Sequence, residues 1–330
     1  MKLTKEQITN IANGVVCVTE ENGAIQLHRF TEAQRHMYKV TNEGFYKKCF
    51  ATAGIRLEFV TDSRSLSLSV QCTAGSSRTF FNHDIYVNGE HRWSLGGDVK
   101  GYSDDEPCVV CGDYDLGEGE KTVKIYFPWS VCSKILSMEL DDGCSLAPVS
   151  HARTMLMFGD SITHGYDAAD PSHSYASRVA DAMDAFAVNK GIGGEVFRPA
   201  LAAIPEDITP DIITVAYGTN DWGGQKKALF DAYSDAFYTL LSHNYPNARI
   251  FAFSPVWRGN WDKVTNVGPF MRVLERLNEI AATIPNMTVI DCTDFIPHDP
   301  QMYSPDVLHP NDKGFAHYAE GVIREIGRYI

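Results

Sequence analysis

Four short segments carry side chains able to do chemistry. In "FGDSITHG" a Gly-Asp turn follows an apolar run and delivers Ser161; "NKGIGGE" (189–195) follows a second apolar run, and "YGTNDW" (217–222) a third. The fourth, "SPDVLHPND" (304–312), brings Asp306 and His309 three residues apart just before the last helical stretch. A serine hydroxyl is a poor nucleophile at neutral pH and needs a base within hydrogen-bond reach. An imidazole, with an ordinary pKa of about 6.5, suits accepting and returning that proton, and a carboxylate beside it holds the ring in one tautomer. Taken singly, each segment also has a plainer reading: a tight turn for "GIGG", and helix N-caps for "GTND" and "DVLHPND".

The elements that must position these residues are legible after residue 150. Apolar runs at 154–158 ("TMLMF"), 186–189 ("FAVN"), 212–217 ("IITVAY"), 249–254 ("RIFAFS") and 287–291 ("MTVID") read as strands. Amphipathic stretches separate them, such as "SYASRVADAMDA", "KKALFDAYSDAFYTLLSHN" and "PFMRVLERLNEIAATI", and "NDKGFAHYAEGVIREIGRYI" closes the chain. Continuous apolar strands alternating with helices predict a parallel sheet covered on both faces. Right-handed crossovers then give a three-layer α/β/α domain. Ligands bind at the carboxyl ends of such strands, so all four polar segments would meet on one rim.

Before residue 150 the period is two. "RLEFV" (56–60), "SLSLSV" (65–70), "HDIYVNGEHRW" (83–93), "KTVKIYF" (121–127) and "KILSMEL" (134–140) read as half-buried strands. Asn88-Gly89 suits a two-residue hairpin turn, because both central positions need positive φ. An antiparallel, jelly-roll-like β-sandwich over residues 1–148 is expected, with a linker around 141–153 and the α/β domain over 149–330. The first 40 residues show no clear period.

Composition narrows the partners. The 330 residues are 44% hydrophobic and carry a net charge of -13, which argues against nucleic acid or an anionic membrane surface as partner. No run is long enough to span a bilayer, and the N-terminus lacks the apolar stretch of a signal peptide, so a cytoplasmic chain is expected. The eight cysteines are scattered and read as reduced thiols; "CVVC" (108–111) has redox or zinc spacing but no second Cys/His pair and no thioredoxin-like context.

The four blocks, in this order and each at a strand end, resemble those of the GDSL/SGNH hydrolase superfamily, from residue 154 to about 328, with Ile162 where the motif has leucine. The resemblance implies a three-layer α/β/α SGNH-hydrolase domain with Ser161 as nucleophile, His309 as base and Asp306 as its partner. It also implies an oxyanion hole made of the Ser161 and Gly194 backbone N–H groups and the Asn220 side-chain amide. Gly191 and Gly193 leave the register at Gly194 open. No cofactor and no metal are implied.

The front half is similar to that of two-domain carbohydrate esterases of the second family, which remove acetyl groups from sugars; "GIRLEFVTDSRSLSLSV" looks like the strand pair of that front domain. The expected reaction is therefore hydrolysis of a small acyl ester, such as acetate, on a small-molecule or oligosaccharide substrate, through an acyl-serine intermediate. A lipase, lysophospholipase or thioesterase of the same superfamily, or a non-catalytic carbohydrate-binding protein on this scaffold, are the alternatives. Asp160 reads as a brace of the serine turn and as a candidate substrate-pocket residue. Trp222 and Trp257, with Trp261, follow strand ends and could wall a substrate pocket. His164, His173, His298 and His317 receive no role, and the sequence leaves the oligomeric state open.

Overall fold

A computed structural model of the chain describes residues 1–101 and 106–330. It divides into two compact units: Met1–Thr31, Tyr46–His151 and Asp170–Ser172 form one, and Glu32–Phe45, Ala152–Ala169 and His173–Ile330 the other. The chain thus crosses between units at more points than a single cut at 148/149 supplies.

The first unit is built from two antiparallel sheets. Alternation decides which side chains enter: in the strand Ser65–Ala74, Leu66, Leu68, Val70 and Cys72 are buried while Ser65 is exposed and Ser67 and Ser69 are partly so. They join Leu57, Phe59, Ile85, Val123, Ile125, Ile135 and Met138 from both sheets in one core. The hairpin turn at Asn88-Gly89 forms as expected, with φ of 51° and 81°. One expectation is corrected. The strands Arg56–Thr61 and Ser65–Ala74 are consecutive but belong to different sheets, pairing with Lys121–Tyr126 and with Val131–Leu140 respectively. Asp62 and Ser63 turn the chain from one layer to the other. The "CVVC" segment lies in the strand Cys108–Asp115, and both of its cysteines are free thiols. A three-residue separation in a strand sends the two thiols to opposite faces, which accounts for Cys111 being exposed while Cys108 is half-buried.

The second unit holds a five-stranded parallel sheet in the spatial order Ala185–Asn189, Arg153–Gly159, Ile212–Ala216, Arg249–Phe253, Met287–Ile290. Both faces are covered, which is why Met155, Leu156, Met157 and Phe158 are all buried. The first strand in sequence lies between the second and the third, so the winding direction reverses there, and the crevice at the carboxyl ends of those strands is where such a sheet binds ligands. The helices Tyr175–Ala182, Lys227–Asn244, Arg272–Ala281 and Asp312–Ile326 agree with the amphipathic stretches.

The helix Glu32–Thr41 also packs in this unit. Its buried Gln34 donates to Glu206 Oε1 at 2.5 Å and accepts from Lys190 Nζ at 2.9 Å, while Lys190 and Glu206 pair at 2.7 Å with essentially no solvent exposure. A buried pair of this kind is costly to break from one side, which fixes where this helix lies.

Candidate active site

The strand Arg153–Gly159 ends at the turn that presents Ser161. Asp160 caps the short helix Ser161–His164 by accepting from the Ile162 N–H at 3.0 Å. The Ser161 N–H therefore stands at a helix N-terminus, where the backbone leaves donors without helical acceptors. Asp160 is buried, and desolvation raises its carboxyl to about pKa 7 against the pull of the Ile162 N–H and the charge of Arg258. Its cap on the serine helix is the brace expected of it.

The second strand leads into the glycine turn. Asn189 ties that turn to the serine helix, donating to the Thr163 carbonyl at 2.7 Å and accepting from the Gly191 N–H at 2.8 Å. His164 Nδ1 accepts from the Gly193 N–H at 3.2 Å. Gly194 has φ +89°, a conformation that glycine adopts without strain. Asn220, at the start of the helix Thr219–Gly224 beyond the third strand, donates one Nδ2 hydrogen to the Glu195 carbonyl at 3.0 Å. An amide NH2 has two donors, so this bond orients the group and leaves the second hydrogen for a ligand. Glu195 is itself buried and held by Arg198 through two contacts of 3.0 Å.

The fourth segment supplies the imidazole. Ser304 donates to the His309 carbonyl at 2.8 Å, closing the loop, and Asn311 caps the last helix by accepting from the N–H groups of Lys313 and Gly314. Between them Val307 has φ +50°, a costly conformation for a β-branched residue. Gly259 donates to the Val307 carbonyl at 2.8 Å and helps to hold it there. The result is a relay: His309 Nε2 lies 2.8 Å from Ser161 Oγ, and His309 Nδ1 lies 2.5 Å from Asp306 Oδ2. Asp306 Oδ1 accepts from the Leu308 and His309 N–H groups at 2.9 and 3.0 Å. Desolvation works to raise the Asp306 carboxyl, but the hydrogen bonds from the His309 backbone, its imidazole and Leu308 outweigh it and hold the group below its ordinary value. Such an arrangement can take a proton from the hydroxyl while keeping the imidazolium paired.

The predicted Ser161, Gly194, Asn220, Asp306 and His309 thus stand on four segments at one rim of the sheet. The tryptophans are placed otherwise. Trp222 is 1% exposed, packs edge-on against Phe270 and donates its indole N–H to the Gly268 carbonyl at 2.9 Å. Trp257 is buried and stacks on His298. Both are packing residues, because an aromatic ring at a third-strand or fourth-strand end is as useful to the core as to a pocket. Residues that the sequence reading passed over also reach the site. Tyr166 stacks on the His309 ring with centroids 5.5 Å apart. Asp167 Oδ2 stands 3.8 Å from His309 Nδ1. Arg258 donates to the Thr219 carbonyl and hydroxyl at 3.1 and 3.0 Å and faces the charges of Asp160 and Asp306. Tyr166 and Asp167 directly follow "GDSITHG", but nothing in their types or spacing announces a role.

No curated protein sequence matches the chain. Among solved structures, a salicylyl-acyltransferase from a tetracycline biosynthetic pathway is similar, with TM-score 0.81, 22% identity, and 96% of this chain and 94% of that one covered. A GDSL-like lipase of unproven activity from Bacteroides ovatus gives TM-score 0.76 at 17% identity, covering 99% and 97%. A family two carbohydrate esterase from Clostridium thermocellum gives 0.65 at 18%, covering 84% and 93%. At these identities the likeness is one of fold. Residues 157–317 match the model of the GDSL-like Lipase/Acylhydrolase family. Over that stretch the chain is similar to the GDSL-like lipase/acylhydrolase family.

Proposed function

We propose that this protein is a serine esterase that removes short acyl groups, acetyl above all, from carbohydrate hydroxyls. The observation that carries the reading is the contact of Ser161 Oγ with His309 Nε2 at 2.8 Å, backed by Asp306. In the first half-reaction the Ser161 oxygen attacks the ester carbonyl as its proton passes to His309 Nε2. The carbonyl oxygen becomes an oxyanion, received by the N–H groups of Ser161 and Gly194 and by the Asn220 amide. Collapse of the intermediate expels the alcohol, which takes the proton from His309. Water then attacks the acyl-serine with His309 again as base, releasing the acid and restoring the hydroxyl.

The acetyl-sugar part rests on the family match together with the likeness to esterases whose names specify carbohydrate. The decisive experiment measures acetate release from acetylated mono-, oligo- and polysaccharides, and hydrolysis of nitrophenyl acetate and its longer-chain homologues. Wild type and Ser161→Ala are compared. Activity on short esters that disappears in Ser161→Ala is expected. A preference for long acyl chains would overturn the acetyl assignment, activity surviving Ser161→Ala would overturn the nucleophile, and no ester hydrolysis at all would leave a binding protein.

A further inference from the structure

The loop that follows the nucleophile holds a second carboxylate aimed at the base. Asp167 lies six residues after Ser161, and its Oδ2 is 3.8 Å from His309 Nδ1, the same nitrogen that meets Asp306 Oδ2 at 2.5 Å. One carboxylate oxygen each of Asp167 and Asp306 and a ring nitrogen of His309 all lie within 4.8 Å of one another. The two carboxylates are unequally placed. The Asp306 side chain is 39% exposed on a loop, whereas that of Asp167 is 12% exposed, as is that of His309. A charge shielded from water acts on its neighbour with less screening.

Asp167 is also built into the serine corner. The Gly165 and Tyr166 N–H groups both donate to the Ser161 carbonyl at 3.0 Å, and Gly165 turns with φ +105°. Asp167 itself has φ +69°, a region that aspartate and asparagine tolerate better than other residues with a side chain. The neighbouring Tyr166 lies against the imidazole face. The segment that carries the nucleophile therefore also supplies a platform and a carboxylate for the histidine that must deprotonate it.

Building on the esterase reading above, we infer that Asp167 is a positioning residue for His309, a second carboxylate that keeps Nδ1 protonated and the ring oriented, and that takes over this hydrogen bond when Asp306 is lost. The geometry makes the claim separable from a general structural role. Two backbone N–H groups, those of Leu308 and His309, fix Asp306 Oδ1. An asparagine at 306 keeps its carbonyl oxygen on them and turns its NH2 toward Nδ1, forcing the wrong tautomer. An alanine there leaves Nδ1–H to Asp167.

The test compares wild type, Ser161→Ala, Asp306→Ala, Asp306→Asn, Asp167→Asn and the double variant Asp306→Ala/Asp167→Asn on nitrophenyl acetate, reading kcat and KM separately, with thermal unfolding to confirm that each folds. Asp306→Ala is expected to lose about 10- to 100-fold in kcat with KM little changed, and Asp306→Asn to be worse by about tenfold or more, as expected for a wrong tautomer. The double variant should fall to the level of Ser161→Ala. Asp306→Ala no better than Asp306→Asn, or a double variant no slower than Asp306→Ala, overturns the inference while leaving the esterase reading intact. Equal rates for wild type and Ser161→Ala overturn both.

Discussion

His164 Nδ1 accepts the N–H of Gly193 at 3.2 Å, so the helix that carries the nucleophile also holds the glycine turn beside it. His164 is buried, at 1% exposure, and packs edge-on against Tyr166. Accepting at Nδ1 requires the neutral ring with its proton on Nε2. Replacing it by alanine releases the Ile192–Gly193 peptide, and the next peptide unit carries the Gly194 N–H, a proposed oxyanion donor. His164→Ala should lower kcat on nitrophenyl acetate by about 10- to 100-fold, less than the loss of a whole donor. Unchanged kcat in a folded variant would separate the glycine turn from catalysis.

Gly193 itself leaves no room for a side chain. A Cβ there would stand 2.5 Å from the Tyr166 ring, the same ring that stacks on His309. Gly193→Ala should therefore cost stability by about 1–3 kcal/mol, as overpacking does, and should also slow turnover by displacing the platform of the base. Thermal unfolding and steady-state kinetics on the same preparation check both. A stable, fully active variant would mean that Tyr166 can give way freely.

Asn220 should behave differently from both. Its amide is partly exposed and its one bond to the Glu195 carbonyl serves orientation, so Asn220→Ala should leave the fold intact. If its second hydrogen meets the oxyanion, kcat falls by about 100- to 1000-fold. Asn220→Asp, which has no donor and adds a negative charge, should be at least as slow. A loss confined to KM would reassign the amide to ground-state binding.

Much of this site was readable in the sequence for a physical reason. Parallel strands buried on both faces are continuous apolar runs, so their carboxyl ends, and hence Ser161, Asn220 and the glycine turn, could be placed by inspection, while the choice of Gly194 over Gly191 and Gly193 came only from the family resemblance. His309 and Asp306 sit beside Pro310, which marks their loop. The first 40 residues hid the helix Glu32–Thr41 because its place is set by one buried polar knot in which Gln34 meets Lys190 and Glu206, 156 and 172 residues further along the chain. Asp167 and Tyr166 were silent because a left-handed backbone at an aspartate leaves no periodic trace. Trp222 misled because strand-end aromatics serve cores and pockets alike, and only its bond to the Gly268 carbonyl separates the two.

The buried acids beneath the site predict how stability depends on pH. Asp221 is fully buried; its Oδ1 accepts from the Phe197 N–H at 3.2 Å, and desolvation, with Asp160 adding, raises its carboxyl to about pKa 7. Asp160 is raised to about 7 as well. In the unfolded chain these groups ionise at about 4. Below that both states are protonated and the folded state keeps its full advantage. Between about pH 4 and 7 the unfolded state has released the proton while the folded state still holds it, so stability falls as pH rises, by up to about 1.4 kcal/mol per pH unit for each group. Above about 7 the loss is complete. Asp221→Asn keeps an oxygen for the Phe197 N–H and cannot ionise, so it should lose less stability than wild type between pH 5 and 8 and be the more stable of the two at pH 8. Urea midpoints of both proteins at the two pH values measure this, and equal losses would mean that Asp221 ionises in the folded state as readily as in the unfolded one.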